Sequence, residues 1–115
     1  MNIEFLFGGQ TIAAVLYDTP ETRELVSMLP LSLEIEDYST NEKIAYLPRK
    51  LGGDRTDSFE DEAVGDICYY APWGNLVLYH GEYAYSRGLI RLGKIEGGIG
   101  PLLKRGKYPL QIRRR

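Results

Sequence analysis

The stretch Asp66–Gly98, DICYYAPWGNLVLYHGEYAYSRGLIRLGKIEGG, carries five of the nine tyrosines and the only tryptophan, cysteine and histidine of the chain. Aromatic, β-branched and glycine residues interleave along it, with no helical period longer than a turn. That pattern suits short, twisted strands with one aromatic-lined face. Asp66–Ala71 and Leu76–His80 read as strands around a Pro72-Trp73-Gly74-Asn75 turn, and Gly88–Ile95 reads as another. Strand alternation sends Tyr69 and Tyr70 to opposite faces, one to the core and one away from it.

The flanking segments follow the same logic. Asn2–Phe7 alternates Ile3, Phe5 and Phe7 against Glu4 and Leu6. Gly8-Gly9 supplies the positive φ angles of a hairpin turn into Thr11–Leu16. Asp18-Thr19-Pro20-Glu21 starts a helix, with Thr19 as N-cap, Pro20 at the first helical position, and Glu21 and Glu24 toward the positive end of the dipole. Thr22, Leu25, Val26 and Leu29 share one face, and the helix stops before Pro30. At about two and a half turns it is too short to stand alone and must pack on the sheet. Leu31–Tyr38 alternates Leu31, Leu33 and Ile35 inward with Ser32, Glu34 and Glu36 outward. After the Ser39-Thr40-Asn41 turn, Lys43–Leu47 returns with Ile44 and Tyr46 opposed to Lys43 and Ala45. Ile99–Leu103 makes a short helical turn, and Tyr108–Arg113 alternates Tyr108, Leu110 and Ile112 with Pro109, Gln111 and Arg113.

Eight short strands, one clear helix and 13 glycines in 115 residues predict a mainly β fold in one domain, residues 1–115. The expected architecture is a small closed or nearly closed β-barrel of about eight strands, with Thr19–Met28 capping one end. The sixteen residues Pro48–Ala63 form a long loop, and such loops are usually functional or mobile. A single cysteine, Cys68, makes no internal disulfide. Between Ile67, Tyr69 and Tyr70 it reads as a small buried hydrophobe, with no cation beside it to activate the thiol. The N-terminus has neither a basic region nor a long apolar run, and no span suits a membrane, so a reducing cytoplasm is expected.

Net charge is −2, but residues 1–66 hold fourteen acids and five bases, whereas residues 67–115 hold two acids and nine bases. The basic C-terminal segment (Lys104, Arg105, Lys107, Arg113, Arg114, Arg115) lacks the aromatic interleaving of a single-strand groove, which argues against a nucleic-acid partner. Cross-strand pairing between the two halves, or a solvated basic tail, accounts for the asymmetry. His80 has no neighbouring Cys or His with which to hold a metal. Asp54, Asp57, Glu60, Asp61 and Glu62 do not have calcium-loop spacing and read as a solvated charged loop. No nucleophile triad, phosphate-binding glycine loop or paired catalytic carboxylates stand in the sequence, and nothing in it calls for a cofactor. The tyrosines divide between core packing and an outward cluster. Tyr70, Trp73 and Tyr85, beside Arg49 or Arg87, would form an amphipathic pocket suited to a peptide or a small planar ligand.

The order of pieces resembles the cyclophilin fold. A hairpin and a TPET-type helix are followed by strands, then by Leu92-Gly93-Lys94-Ile95-Glu96-Gly97-Gly98-Ile99 where cyclophilins carry a strand of the form F-G-K-V-x-x-G-M. The helix Thr19–Met28 resembles their V-P-K-T-x-x-N-F segment. The closer likeness is to the compact bacterial cyclophilin-like family, whose members carry words similar to Glu42–Leu51 (EKIAYLPRKL), Val64–Leu78 (VGDICYYAPWGNLVL) and Tyr85–Ile95 (YSRGLIRLGKI). The resemblance covers nearly the whole chain and implies the barrel, but no assigned activity. Cyclophilins proper isomerise X-Pro bonds with an Arg in an F-H-x-R-like strand followed by F-x-x-Q-G-G. Here that strand reads Lys43-Ile44-Ala45-Tyr46-Leu47-Pro48-Arg49. Phe7-Gly8-Gly9-Gln10 lies in the first hairpin instead, and Leu89 replaces the expected histidine.

Three readings of function follow. The leading one is a non-catalytic binding module for a peptide or small ligand, with its site among Tyr46, Arg49, Tyr70, Trp73 and Tyr85. The alternative is a weak peptidyl-prolyl isomerase using Arg49 as the cation that breaks amide resonance, the only catalytic residue that reading supplies. The third is a surface interaction protein, a monomer or weak homodimer whose two oppositely charged halves meet head to tail.

Overall fold

The computed structural model describes residues 1–52 and 57–115. Eight strands follow in the order β1 (Asn2–Phe7), β2 (Gln10–Leu16), β3 (Leu31–Tyr38), β4 (Glu42–Tyr46), β5 (Asp66–Tyr70), β6 (Asn75–Tyr79), β7 (Leu89–Ile95) and β8 (Lys107–Arg114), with helix α1 (Pro20–Ser27) between β2 and β3. They close into an antiparallel barrel in the spatial order β1-β2-β7-β5-β6-β4-β3-β8. The Gly8-Gly9 turn adopts φ of 58° and 75°, as a two-residue hairpin between twisted strands requires.

One side of every strand fills the interior. Ile3, Phe5, Phe7, Ile12, Ala14, Leu16, Ile35, Ile67, Tyr69, Leu76, Leu78, Ile90, Leu92, Leu110 and Ile112 form a single buried cluster. Helix α1 caps the barrel and adds Leu25 to that cluster. Its start is the expected one. The Thr19 side chain accepts from the Thr22 N–H at 3.2 Å, and the Thr22 hydroxyl accepts from the Thr19 N–H at 2.9 Å. Thr22 thus plays the part more often taken by Glu in a capping box. A 3₁₀ turn at Gly100–Leu103 adds Leu102 to the interior.

Two departures from the simple alternating pattern matter. The first is Lys43, which points into the barrel with Ala45 while Ile44 faces out. Its ammonium is fully buried, donating to Asp37 Oδ1 and to the Lys104 carbonyl, each at 2.9 Å. The second is that β5 and β6 are buried on both faces. Their outward residues Cys68, Val77 and Tyr79 join Ile44 and Leu89 in a second apolar cluster on the outside of the barrel. Tyr69 goes inside and Tyr70 outside, as alternation predicts. Loops seal the second cluster, with Phe59, Tyr83 and Tyr85 packed over it.

The long loop is therefore held down in its described parts. The Leu51 N–H donates to the Tyr69 hydroxyl at 3.0 Å, and the Gly52 N–H to Glu24 Oε1 at 2.9 Å. Arg91 pairs with Asp61 at 2.8 Å and lies over the Phe59 ring at 4.4 Å, and Glu62 accepts the Tyr85 N–H at 2.7 Å. Asp57, Glu60 and Asp61 are exposed, as the sequence predicts for a solvated charged loop, while Asp61 also ties the loop to Arg91 of β7 and Glu62 ties it to the Tyr85 segment. Asp54 lies outside the described residues. The basic C-terminal run is likewise no solvated tail. It forms β8, where Arg113 pairs with Glu4 of β1, and Lys107 lies 3.7 and 3.8 Å from Glu34 and Glu36 of β3. Acidic first half and basic second half meet across strand seams. No helix among the described residues is long and apolar enough to cross a membrane.

Candidate functional site

A cleft of about 300 Å³ opens on the outer face of the β4-β6-β5-β7 wall. Strand alternation builds its floor: Glu42 of β4, Asn75, Val77 and Tyr79 of β6, Tyr70 of β5 and Leu89 of β7 all point outward. Trp73, from the turn between β5 and β6, and Tyr38, from the end of β3, form the rim. Tyr38 sits directly across from Glu42 in the β3–β4 register, which brings it to this face. The turn is shaped by glycine. Gly88 adopts φ of +99°, and a Cβ there would lie 2.7 Å from the Pro72 ring, so the chain passes close beside the turn that carries Trp73.

The rings stand at steep angles. Tyr38 and Tyr70 each meet the Trp73 indole edge-on, with centroids 5.5 Å apart and planes at 79°. Trp73 remains 48% exposed, high for the largest apolar side chain. Tyr79 backs the cleft and stacks flat on Tyr83 at 3.6 Å and 3°. Tyr83 in turn donates to the fully buried Asp66 at 2.7 Å. Burial and that carboxylate neighbour push the Tyr83 phenol well above its usual range. The network anchors the back wall and keeps its phenols neutral.

The polar groups of the cleft are all hydrogen-bond acceptors or neutral. Burial raises the Glu42 carboxyl above its ordinary range, with no counter-charge to lower it. Asn75 is 1% exposed. Its amide nitrogen donates to the Leu76 carbonyl at 3.2 Å, while Oδ1 has no hydrogen-bond partner among the described residues. No Lys, Arg or His lines the cleft among the described residues.

Of the five residues expected at the site, the structure brings two together, Tyr70 and Trp73. Tyr46 is on β4 and exposed, but it is not part of the cleft wall. Tyr85 packs on Phe59 at 5.0 Å and seals the apolar cluster beside the cleft. Arg49 is turned to the helix, paired with Glu24, whose carboxyl that hydrogen bond and the Gly52 N–H hold below the usual range. Tyr38, Glu42 and Asn75 were missed. Glu42 reads as an ordinary solvent-facing strand residue unless one knows that the face it lies on is half-covered.

A second groove, of about 520 Å³, beside β8 is lined by Leu29–Ser32 and Gln111–Arg114. Its cations are engaged, Arg113 with Glu4 and Arg114 with the Val26 carbonyl. Cys68 is fully buried, its thiol 3.7 Å from the Tyr83 hydroxyl, and burial pushes its pKa up to about 12, which makes it inert as a nucleophile. Among the described residues, no three His, Cys, Asp or Glu side chains gather as a metal site would need.

Comparison with known proteins agrees with the architecture. The solution structure of a hypothetical protein from Archaeoglobus fulgidus superposes with a TM-score of 0.80, covering 100% of this chain and 95% of that one at 19% identity, a likeness of fold. No curated protein matches the chain. The model of the cyclophilin-like family matches residues 5–113, nearly the full barrel from β1 to β8. With that match and the closed eight-stranded barrel together, the chain belongs to the cyclophilin-like family.

Proposed function

We propose that this protein is a non-catalytic binding module whose site is the outer cleft between Trp73, Tyr38, Tyr70 and Glu42. One observation carries the reading: a half-exposed tryptophan stands over a cleft of about 300 Å³ whose back wall, the buried Tyr79, is stacked on Tyr83. A rigid aromatic pocket with a few polar groups is the usual form of a small-ligand or side-chain site. The isomerase reading lacks its cation. Arg49 is bound to Glu24, and no described cation lines the cleft to stabilise a prolyl amide whose resonance is breaking. A single buried thiol suits a reducing, cytoplasmic setting, and the intramolecular pairing of the two charged halves favours a monomer or weak homodimer.

A fragment and short-peptide screen followed by ¹H–¹⁵N correlation spectra tests the reading, because the only tryptophan places its indole N–H signal at the rim of the cleft. Binders should perturb Trp73, Tyr70 and Glu42 together and lose affinity in Trp73→Ala. Hits that map to the β3–β8 groove would place the site elsewhere. A protease-coupled assay on an X-Pro peptide provides the second arm. Isomerase activity that disappears in Arg49→Ala would establish catalysis in place of simple binding.

A further inference from the structure

The cleft contains an electrostatic imbalance that packing does not resolve. Glu42 is partly buried among Tyr70, Tyr79 and Leu89, yet its carboxylate has no hydrogen-bond or ion-pair partner among the described residues. Its neighbour in sequence, Lys43, is on the opposite face of the strand and committed to Asp37 inside the barrel. Asn75, on the adjacent strand, adds a second uncompensated acceptor in the fully buried Oδ1. The Glu42 carboxylate is half-buried on the cleft floor with no counter-charge beside it, so a cationic ligand would supply the partner that the protein does not. The walls point to the same kind of ligand. Aromatic faces carry negative potential and attract cations. Tyr38 and Tyr70, each set at 79° to Trp73, give the cleft steep aromatic walls, suited to a rounded head group.

We infer that the cleft binds an alkylated organic ammonium group, with Glu42 as its counter-ion and Trp73, Tyr38 and Tyr70 as its aromatic walls. This rests on the binding reading above and names the class of ligand. An alkylated ammonium fits better than a primary one, which would need several charged or carbonyl acceptors to replace its water; the described lining offers a single carboxylate, Glu42, against four aromatic rings. Anions would face Glu42 unscreened. A neutral ligand would leave the carboxylate without a partner.

Titration of Trp73 fluorescence with choline, and in parallel with its neutral isostere 3,3-dimethylbutan-1-ol, tests the charge requirement. Choline should saturate the signal, and the isostere should bind at least about tenfold more weakly, the factor expected of a partly desolvated cation–π and ion-pair contact. Glu42→Gln, with its fold checked by thermal melting, should lose a similar factor toward choline while leaving the isostere unchanged. Equal binding of choline and the isostere would overturn the inference and leave the binding module standing. Saturation by neither would also overturn it, and the fragment screen would then judge the binding reading on its own. A short peptide bearing trimethyllysine identifies the source. Tighter binding than choline marks a modified protein side chain as the ligand, and weaker binding marks a free small molecule.

Discussion

The buried pair Lys43–Asp37 should respond asymmetrically to mutation. The Lys43 ammonium is 0% exposed, with Asp37 Oδ1 and the Lys104 carbonyl as its hydrogen-bond acceptors, while the Phe7 and Tyr108 rings lie 6.0 and 5.7 Å away. Asp37→Ala removes its counter-ion and leaves a cation inside the barrel with one neutral acceptor and two rings. Stranding a buried charge costs about 3–5 kcal/mol, roughly 12–20 °C of Tm in a domain of this size. Lys43→Met is gentler. Asp37 sits at the rim, still accepts the Gly106 N–H at 2.7 Å and has Arg105 at 3.7 Å. That loss should be about 1–3 kcal/mol, the range for a charged hydrogen bond, because the carboxylate left behind keeps the Gly106 N–H and Arg105 as partners. The double variant Lys43→Met/Asp37→Ala should be more stable than Asp37→Ala alone, because no cation is left unpaired. Urea denaturation of the three variants, compared through ΔG at constant m, measures the cycle. Acid sensitivity gives an independent check. Burial pushes the Asp37 carboxyl up, but the Gly106 N–H, Lys43 and Arg105 outweigh it and leave it below 3.8. The stability it contributes is present above that ordinary value and lost as pH falls through the depressed one, so Asp37→Ala should flatten the acid limb. Equal costs for the two single variants, with an additive double, would refute the asymmetry.

Three other outcomes follow. Gly93→Ala should destabilise the barrel by about 1–3 kcal/mol or more, since its Cβ would lie 2.2 Å from the Val15 carbonyl across the β2–β7 seam, and denaturant midpoints measure this. Cys68 should resist alkylation in the native state and react only on unfolding, so labelling rates with iodoacetamide should track urea-induced opening. Glu42→Gln should raise Tm at pH 7 and leave it unchanged at pH 4. Burial raises the folded-state pKa of Glu42, so its stability term is complete below the ordinary value of 4.5 and is lost as pH rises through the folded value. A gain at pH 4 equal to that at pH 7 would remove Glu42 as the cause.

Much of the barrel was legible because its signals are local. Alternation in Asn2–Phe7 and Leu31–Tyr38, the Gly8-Gly9 turn and the Thr19-Pro20 helix start each concern residues a few positions apart. The split of Tyr69 from Tyr70 follows from strand geometry alone. The site was less legible because it depends on which faces are covered. β5 and β6 read ICYY and LVLY, runs that announce burial on both sides without saying what covers the outer one. The cover comes from Phe59, Tyr83 and Tyr85 in loops, and their docking depends on contacts such as Arg91 with Asp61, 30 residues apart. Arg49 stands three residues beyond a strand that faces the cleft, yet its guanidinium meets Glu24 on the helix. Lys43 defeats the hydrophobic pattern outright, since its partners, Asp37 across the β3–β4 register and the Lys104 carbonyl, are set only once the strands pair and the barrel closes.

Strand β8 lies between β1 and β3, so the eighth strand made is the one that joins the first to the third. Until it inserts, both neighbours present raw hydrogen-bonding edges, and the interior that Leu110 and Ile112 complete stays open. Closure links residues more than a hundred positions apart, as in Ile3 with Arg114, which places this seam among the slowest contacts to form. On the ribosome, the barrel can shut only after Lys107–Arg114 has cleared the exit tunnel. The interval before that is when this chain is most exposed to edge-to-edge association and most dependent on chaperones.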